Sequence, residues 1–199
     1  MQLVVACALF VAVGAHLWGG LMLAVAVVAI WPPVPMRPLA LPSVLATYAV
    51  GLVLWLLFAI GYLQVMAAIG QPVAPQPLLE QLVREGTAMP GFWLSVLVAT
   101  LAAPVFEEIV FRGFLFTGFA RLPMPMWATQ AVVAVLFGLV HGLPHALPIA
   151  VLSLVFGRLR ARHGSLLPSM LAHALHNSIT IGLLIVWPEL LDLFYARGA

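Results

Sequence analysis

Glu107, Glu108 and Arg112 share one apolar run, Pro104-Val105-Phe106-Glu107-Glu108-Ile109-Val110-Phe111-Arg112-Gly113. In hydrocarbon each such charge costs about 2.5–3.5 kcal/mol, so it persists mainly where it has a task. Glu108 and Arg112 are four residues apart, on one helix face, with the acid N-terminal to the base as the favourable pairing requires. Glu107 is rotated by about 100° from Glu108 and has no obvious counter-charge. A desolvated carboxylate of that kind is suited to general acid or base work near neutral pH. The plain alternative is a buried ion-pair network that fixes helix packing. A glutamate pair with an arginine at helical spacing favours chemistry over that alternative.

The histidines extend the pattern. His141 closes Phe137-Gly138-Leu139-Val140-His141, and His173 and Asn177 are four apart in His173-Ala174-Leu175-His176-Asn177. Asn177 therefore shares a helix face with His173, and its amide is costly in hydrocarbon unless hydrogen-bonded. His16 reads as a packing or interfacial residue, and His145 and His163 read as loop or helix-end residues. His176 partly shares the His173 face. The set matters more than any member: a glutamate pair, one histidine, then histidine plus asparagine, on three separate segments.

Composition defines what must position them. Of 199 residues 64% are hydrophobic and 7% are charged, and there is no lysine; the mean hydropathy is +1.16. Soluble domains carry roughly 25% charged residues, so most of this surface faces lipid. The net charge of +2 is too small and scattered for nucleic acid binding, which needs a basic stripe along phosphates. The single cysteine, Cys7, allows neither an intramolecular disulfide nor a thiolate metal cluster. The N-terminal stretch lacks the positive region of a secretory signal and is expected to be a retained helix rather than a cleaved leader or a lipoprotein box at Cys7.

A helix needs about 20 apolar residues to cross a bilayer. Six stretches approach this: Leu3 to Trp31, Leu41 to Ile69, Phe92 to Ala120 with Pro104 inside, Met126 to His141, Leu147 to Leu159, and Leu166 to Trp187. The fourth and fifth are short for independent spans. Between the second and third, Leu78, Leu79, Leu82 and Val83 recur at helical spacing beside Glu80, Arg84 and Glu85, as in a helix lying in the interface plane. The expected fold is all-α: a polytopic membrane bundle of about six transmembrane helices, forming one domain over residues 1–199, with two N-terminal spans in 1–70. Upright helices would not bring His141 level with His173, so tilt or a proline break has to close that gap.

Cytoplasmic loops collect Arg and Lys. With the N-terminus outside and six crossings, Arg37, Arg121, Arg158, Arg160 and Arg162 fall inside. Arg84 and Arg197 fall outside, among Glu80, Glu85, Glu189 and Asp192. The expected location is the inner membrane of a bacterium, since the absence of lysine amid abundant Ala, Val, Leu, Pro and Arg suggests a high-GC genome.

The order Glu107-Glu108-x-x-x-Arg112, Phe137-x-x-x-His141, His173-x-x-x-Asn177 resembles the CPBP family of CAAX prenyl endopeptidases and bacteriocin-processing or self-immunity proteins. Phe111-Arg112-Gly113 and Gly164-Ser165-Leu166 add to the likeness, which covers residues 93–181 as a catalytic core. The resemblance implies an intramembrane endopeptidase whose substrate is a membrane-associated peptide or protein. It further implies that Glu107 and His141 activate the attacking water and that His173 and Asn177 donate to the oxyanion. Glu108 and Arg112 would hold the helix and tune Glu107. Glu107, His141 and His173 also form a possible His₂Glu zinc set. A metal-free centre is expected instead, because Asn is a poor zinc ligand and the two histidines have only apolar sequence neighbours to orient them. Two other classes compete: a proton-coupled transporter, which would normally show repeated halves, and a catalytically silent immunity or scaffold protein.

Overall fold

A computed structural model describes residues 37–195. The first expected span, with Cys7 and His16, lies outside the described residues, as does Arg197. Among those described, seven helices follow one another without a strand: α1 (Leu41–Ala68), α2 (Pro77–Glu85), α3 (Phe92–Phe119), α4 (Met126–Leu139), α5 (Leu143–His163), α6 (Leu167–Val186) and α7 (Glu189–Phe194). Four of them, α1, α3, α5 and α6, are long and apolar enough to cross a membrane. The protein is therefore a helical membrane bundle.

Prolines and glycines set the helix ends. Pro42, Pro144 and Pro168 occupy first turns of α1, α5 and α6, where the missing N–H has no intrahelical partner to lose. This corrects the expected start of the fifth segment. Pro144 opens a 21-residue helix instead of preceding a short one, so α5 is a full-length span. By contrast α4 has 14 residues, and His141 sits just beyond it, on the turn into α5. That turn passes through Gly142 at φ 91°, a backbone conformation that favours glycine. α2 is amphipathic, with Leu82 buried and Glu80 and Arg84 on its polar side. Arg84 bonds both Glu80 and Asp192 at 2.9 Å, tying α2 to α7, and those two bonds raise its pKa above the ordinary value.

Inside the bundle two prolines leave backbone carbonyls without their usual donors. Such groups must be satisfied by neighbouring helices, since lipid offers no partner. Pro148 cannot donate to the Pro144 carbonyl, and the Tyr62 hydroxyl of α1 donates there at 2.8 Å. The Trp55 indole of α1 donates to the Pro148 carbonyl at 3.0 Å. In α3 the backbone runs as a π-helix over Val98–Ala102, with the Ala103 N–H bonded to the Val98 carbonyl. Pro104 is next and has no N–H, which leaves the Ala99 carbonyl open in this register. Asn177 Nδ2 of α6 donates to it at 2.8 Å. A second π stretch, Ile109–Leu115, follows around Arg112. Such stretches are rare and frequently mark functional sites.

α5 is central, packing against α1, α4 and α6. One buried cluster joins α3 to α4 and α6 through Phe106, Val110, Phe111, Phe114, Phe137 and Met170. A second joins α1 to α5 through Val44, Tyr48, Leu152, Phe156 and Leu159. The α4–α5 crossing is close enough that a Cβ on Gly138 would collide with the Ala146 carbonyl oxygen. Gly138→Ala is expected to cost about 1–3 kcal/mol of stability, read as a lower melting temperature of purified protein in detergent. An unchanged melting temperature would mean that the two helices can separate there freely.

Candidate active site

Three helices and one turn bring the chemistry-bearing residues together. The α3 backbone presents Glu107 and Glu108 to different neighbours. Glu108 is fully buried, and Arg112 with it. One guanidinium nitrogen, Nη1, donates to Glu108 Oε1 at 2.8 Å. The other, Nη2, reaches across to α5 and donates to the Ser153 hydroxyl at 2.6 Å and the Ser153 carbonyl at 3.0 Å. The Phe137 and Phe156 rings lie 4.6 and 5.5 Å from the guanidinium carbon. Arg112 is thus held through Nη1 and Nη2 and covered by aromatic rings, while its Nε is buried without a hydrogen-bond partner.

The same oxygen, Glu108 Oε1, lies 3.0 Å from His173 Nδ1. Because a carboxylate that already accepts from arginine can only accept again, Nδ1 carries the proton in this contact. His173 stacks on Phe156, with ring centroids 4.6 Å apart and planes 20° apart. Its Nε2 faces Glu107 Oε2 at 3.7 Å. His141 Nε2 faces that same oxygen at 4.0 Å. His141 Nδ1 lies 2.7 Å from the Phe137 carbonyl, which again places the proton on Nδ1 and turns Nε2 inward. The Phe-x-x-x-His spacing explains this: residue i+4 returns to the carbonyl of residue i. Phe137 serves twice, its carbonyl orienting His141 and its ring covering Arg112.

Glu107, His141 and His173 therefore converge, and Glu108 with Arg112 lies directly behind them. The side chains of Glu107 and His141 are 21% and 23% exposed, whereas His173 is 5% exposed. The centre is thus more open on the Glu107–His141 side and closed on the His173 side. Asn177 is half-buried, with its amide nitrogen on the Ala99 carbonyl. One of its two N–H groups is committed to that helix and the other is not. His176 points away, against Tyr48 (3.4 Å) and Trp55 of α1, and lies outside the centre. His145 and His163 occupy the first turn and the last position of α5.

Glu107, His141 and His173 have the right donor chemistry for zinc. The expectation that the two histidines lack orienting partners is corrected here, since the Phe137 carbonyl and the Glu108 carboxylate hold both Nδ1 atoms as zinc ligands usually require. Glu108 serves His173 and Arg112 together rather than being lost to the arginine. The spacing does not fit as it stands. Tetrahedral ligands at zinc–nitrogen distances near 2.0 Å lie about 3.3 Å apart, against 3.7 and 4.0 Å here. Among the described residues no three His, Cys, Asp or Glu side chains form a ready metal cage.

The fold and the centre define a helical membrane protein with a buried arginine–carboxylate–histidine relay behind an accessible Glu/His pair. Residues 89–179, a little under half of the chain, match the family model of the Rce1-like type II CAAX prenyl endopeptidases. That family agrees with the CPBP resemblance of the motifs, and the matched segment contains all six residues named from the sequence. No curated protein and no solved structure matches the chain.

Sequence reasoning missed Ser153, because a serine in an apolar helix carries no motif. It also missed the Ala99 carbonyl, although Pro104 signalled that some carbonyl on the preceding turns would need an outside donor. The two glutamates are expected to behave differently on substitution. Glu108→Gln strands the Arg112 charge in the core and should cost about 3–5 kcal/mol of stability. Glu107→Gln should leave the melting temperature close to wild type. Equal losses in the two variants, measured by thermal unfolding in detergent, would contradict this division.

Proposed function

We propose that the protein is an intramembrane endopeptidase that hydrolyses a peptide bond in a membrane-associated protein or peptide. The observation that carries this reading is the single oxygen Glu107 Oε2 facing the inward Nε2 atoms of two histidines. A water hydrogen-bonded at about 2.8 Å to both Glu107 Oε2 and His141 Nε2 would bridge their 4.0 Å separation at roughly a right angle. Both atoms are then acceptors, because His141 holds its proton on Nδ1.

In the proposed reaction the water oxygen attacks the scissile carbonyl carbon while its proton passes to Glu107. The carbonyl oxygen becomes the oxyanion, with an Nε2–H of His173 and the uncommitted N–H of Asn177 as donors. Each such donor is worth about 2.7–4 kcal/mol in a water-excluded site. Collapse of the intermediate breaks the C–N bond, and the proton held by Glu107 goes to the leaving nitrogen. Glu108 and Arg112 act behind this centre, fixing the ring of His173.

The match to a CAAX prenyl endopeptidase family makes a C-terminal tail with a lipid anchor one substrate to examine. Unlipidated peptides and leader segments are the others, and the expected bacterial inner-membrane location favours those. The centre is proposed to work without a metal, on the ligand spacing. The orientation of both imidazoles favours a second reading, in which Glu107, His141 and His173 hold zinc and a polarised water is the chemistry supplied.

Purified protein in detergent is expected to cleave a quenched peptide from a panel of lipidated and unlipidated tails. Glu107→Gln should lower that rate by about 10²–10⁴-fold. Equal rates in the two proteins would remove Glu107 from the reaction. Activity should survive exhaustive metal depletion. Loss on chelation, restored by one equivalent of zinc, would establish the His₂Glu reading and turn His173 from oxyanion donor into ligand.

A further inference from the structure

Arg112 is fully buried in the middle of α3, and what steers it comes from another helix. Its Nη1 is on Glu108, four residues back on its own helix, a contact that α3 could make in many packings. Its Nη2 is on Ser153, where hydroxyl and carbonyl of one residue accept together at 2.6 and 3.0 Å. Ser153 is 2% exposed and lies on α5, one helical turn before Phe156, whose ring stacks on His173. A single turn of α5 thus touches both ends of the relay, Arg112 through Ser153 and His173 through Phe156.

We propose that Ser153 is a positioning residue for catalysis, setting the guanidinium of Arg112 so that Glu108 Oε1 meets His173 Nδ1 and turns His173 Nε2 toward Glu107. The inference rests on the proposed protease reading for its kinetic consequence, though not for its geometric one. Ser153 touches no reacting atom. It acts through two hydrogen bonds to Arg112, each charge-assisted and therefore stronger than a neutral bond. Without the hydroxyl, the carbonyl alone holds Nη2, and the guanidinium can pivot about its Nη1 bond to Glu108. The carboxylate then moves with it, and His173 loses its fixed orientation before the fold loses its packing.

Ser153→Ala should lower kcat by about ten- to thirtyfold with KM within about twofold of wild type. Ser153→Thr, which keeps the hydroxyl, should recover most of that loss. In an Arg112→Lys background Ser153→Ala should change kcat by less than about twofold, because the group through which it acts is gone. Thr129→Val, at another fully buried hydroxyl outside the centre, is the packing control and should leave kcat and KM unchanged. A spectroscopic readout does not depend on activity. In protein labelled with ¹⁵N-histidine, the His173 ring resonances should shift in Ser153→Ala and remain in place in Thr129→Val.

An unshifted His173 signal in a folded Ser153→Ala protein would overturn the proposal even if no substrate were cleaved. So would a full kcat effect that persists beside Arg112→Lys, or a loss in KM alone. If wild type and Glu107→Gln are equally inactive on every peptide while the His173 signal shifts as stated, the protease reading fails and the positioning role of Ser153 stands.

Discussion

One carboxylate oxygen, Glu108 Oε1, accepts from Arg112 Nη1 at 2.8 Å and lies 3.0 Å from His173 Nδ1, and the arrangement of the centre follows from that sharing. Burying a carboxylate and a guanidinium is expensive, and the Coulombic gain offsets it only when the remaining hydrogen bonds are made with good geometry. α3 supplies the pair, α5 supplies Ser153, α4 and α5 supply the two aromatic rings, and α6 supplies the histidine. Each helix is therefore constrained in rotation by the same pair. A turn of α6 that moved His173 away would strip the carboxylate of one partner, and a turn of α5 would strip the arginine of another. Glu107, one residue along α3, is aimed by this constraint without taking part in it.

A second constraint comes from the solvent. In a bilayer every backbone carbonyl released by proline needs a donor from within the protein. Tyr62 and Asn177 answer Pro148 and Pro104 in this way, from helices other than the one that contains the proline. These bonds tie α1 to α5 and α6 to α3 at fixed heights. Asn177 is thereby placed beside the π turn that leads into Glu107. Its participation in helix packing and its proposed contact with the oxyanion use different hydrogens of the same amide. Glu107 and Glu108 themselves lie on the α-helical stretch between the two π stretches, and the step of about 100° between consecutive residues gives them different neighbours.

The two halves of the centre differ in what they leave open. Glu108, Arg112 and His173 are sealed by phenylalanine rings, so their geometry is set before any substrate arrives. Glu107 and His141 retain about a fifth of their side-chain exposure, and His141 stands on a turn rather than in a helix. A rigid, dry rear and an accessible front suit chemistry in which water and peptide must enter while the dipoles stay preorganised. The proposed division of labour among the residues rests on that asymmetry.

By itself the amino-acid sequence determined the class of the fold and singled out Glu107, Glu108, Arg112, His141 and His173, which the helices bring together. Apolar runs of bilayer length could not be stable in water, and helices are how a chain satisfies its backbone in lipid. The i, i+4 spacings of Glu108 with Arg112, Phe137 with His141 and His173 with Asn177 put each pair on one face, because that is the helical repeat. The first and last of those pairs were legible because both partners lie on one helix, whereas His141 stands one turn past Phe137, just beyond the end of α4. What the tertiary structure decided is everything that crosses between elements: the sharing of Glu108 by His173, the hold of Ser153 on Arg112, the donation of Asn177 to Ala99, and the full length of α5 beyond its expected ends. Each of these depends on the relative rotation and height of two helices. No residue spacing encodes those quantities, because they are settled jointly by all the packed faces and buried polar groups of the bundle.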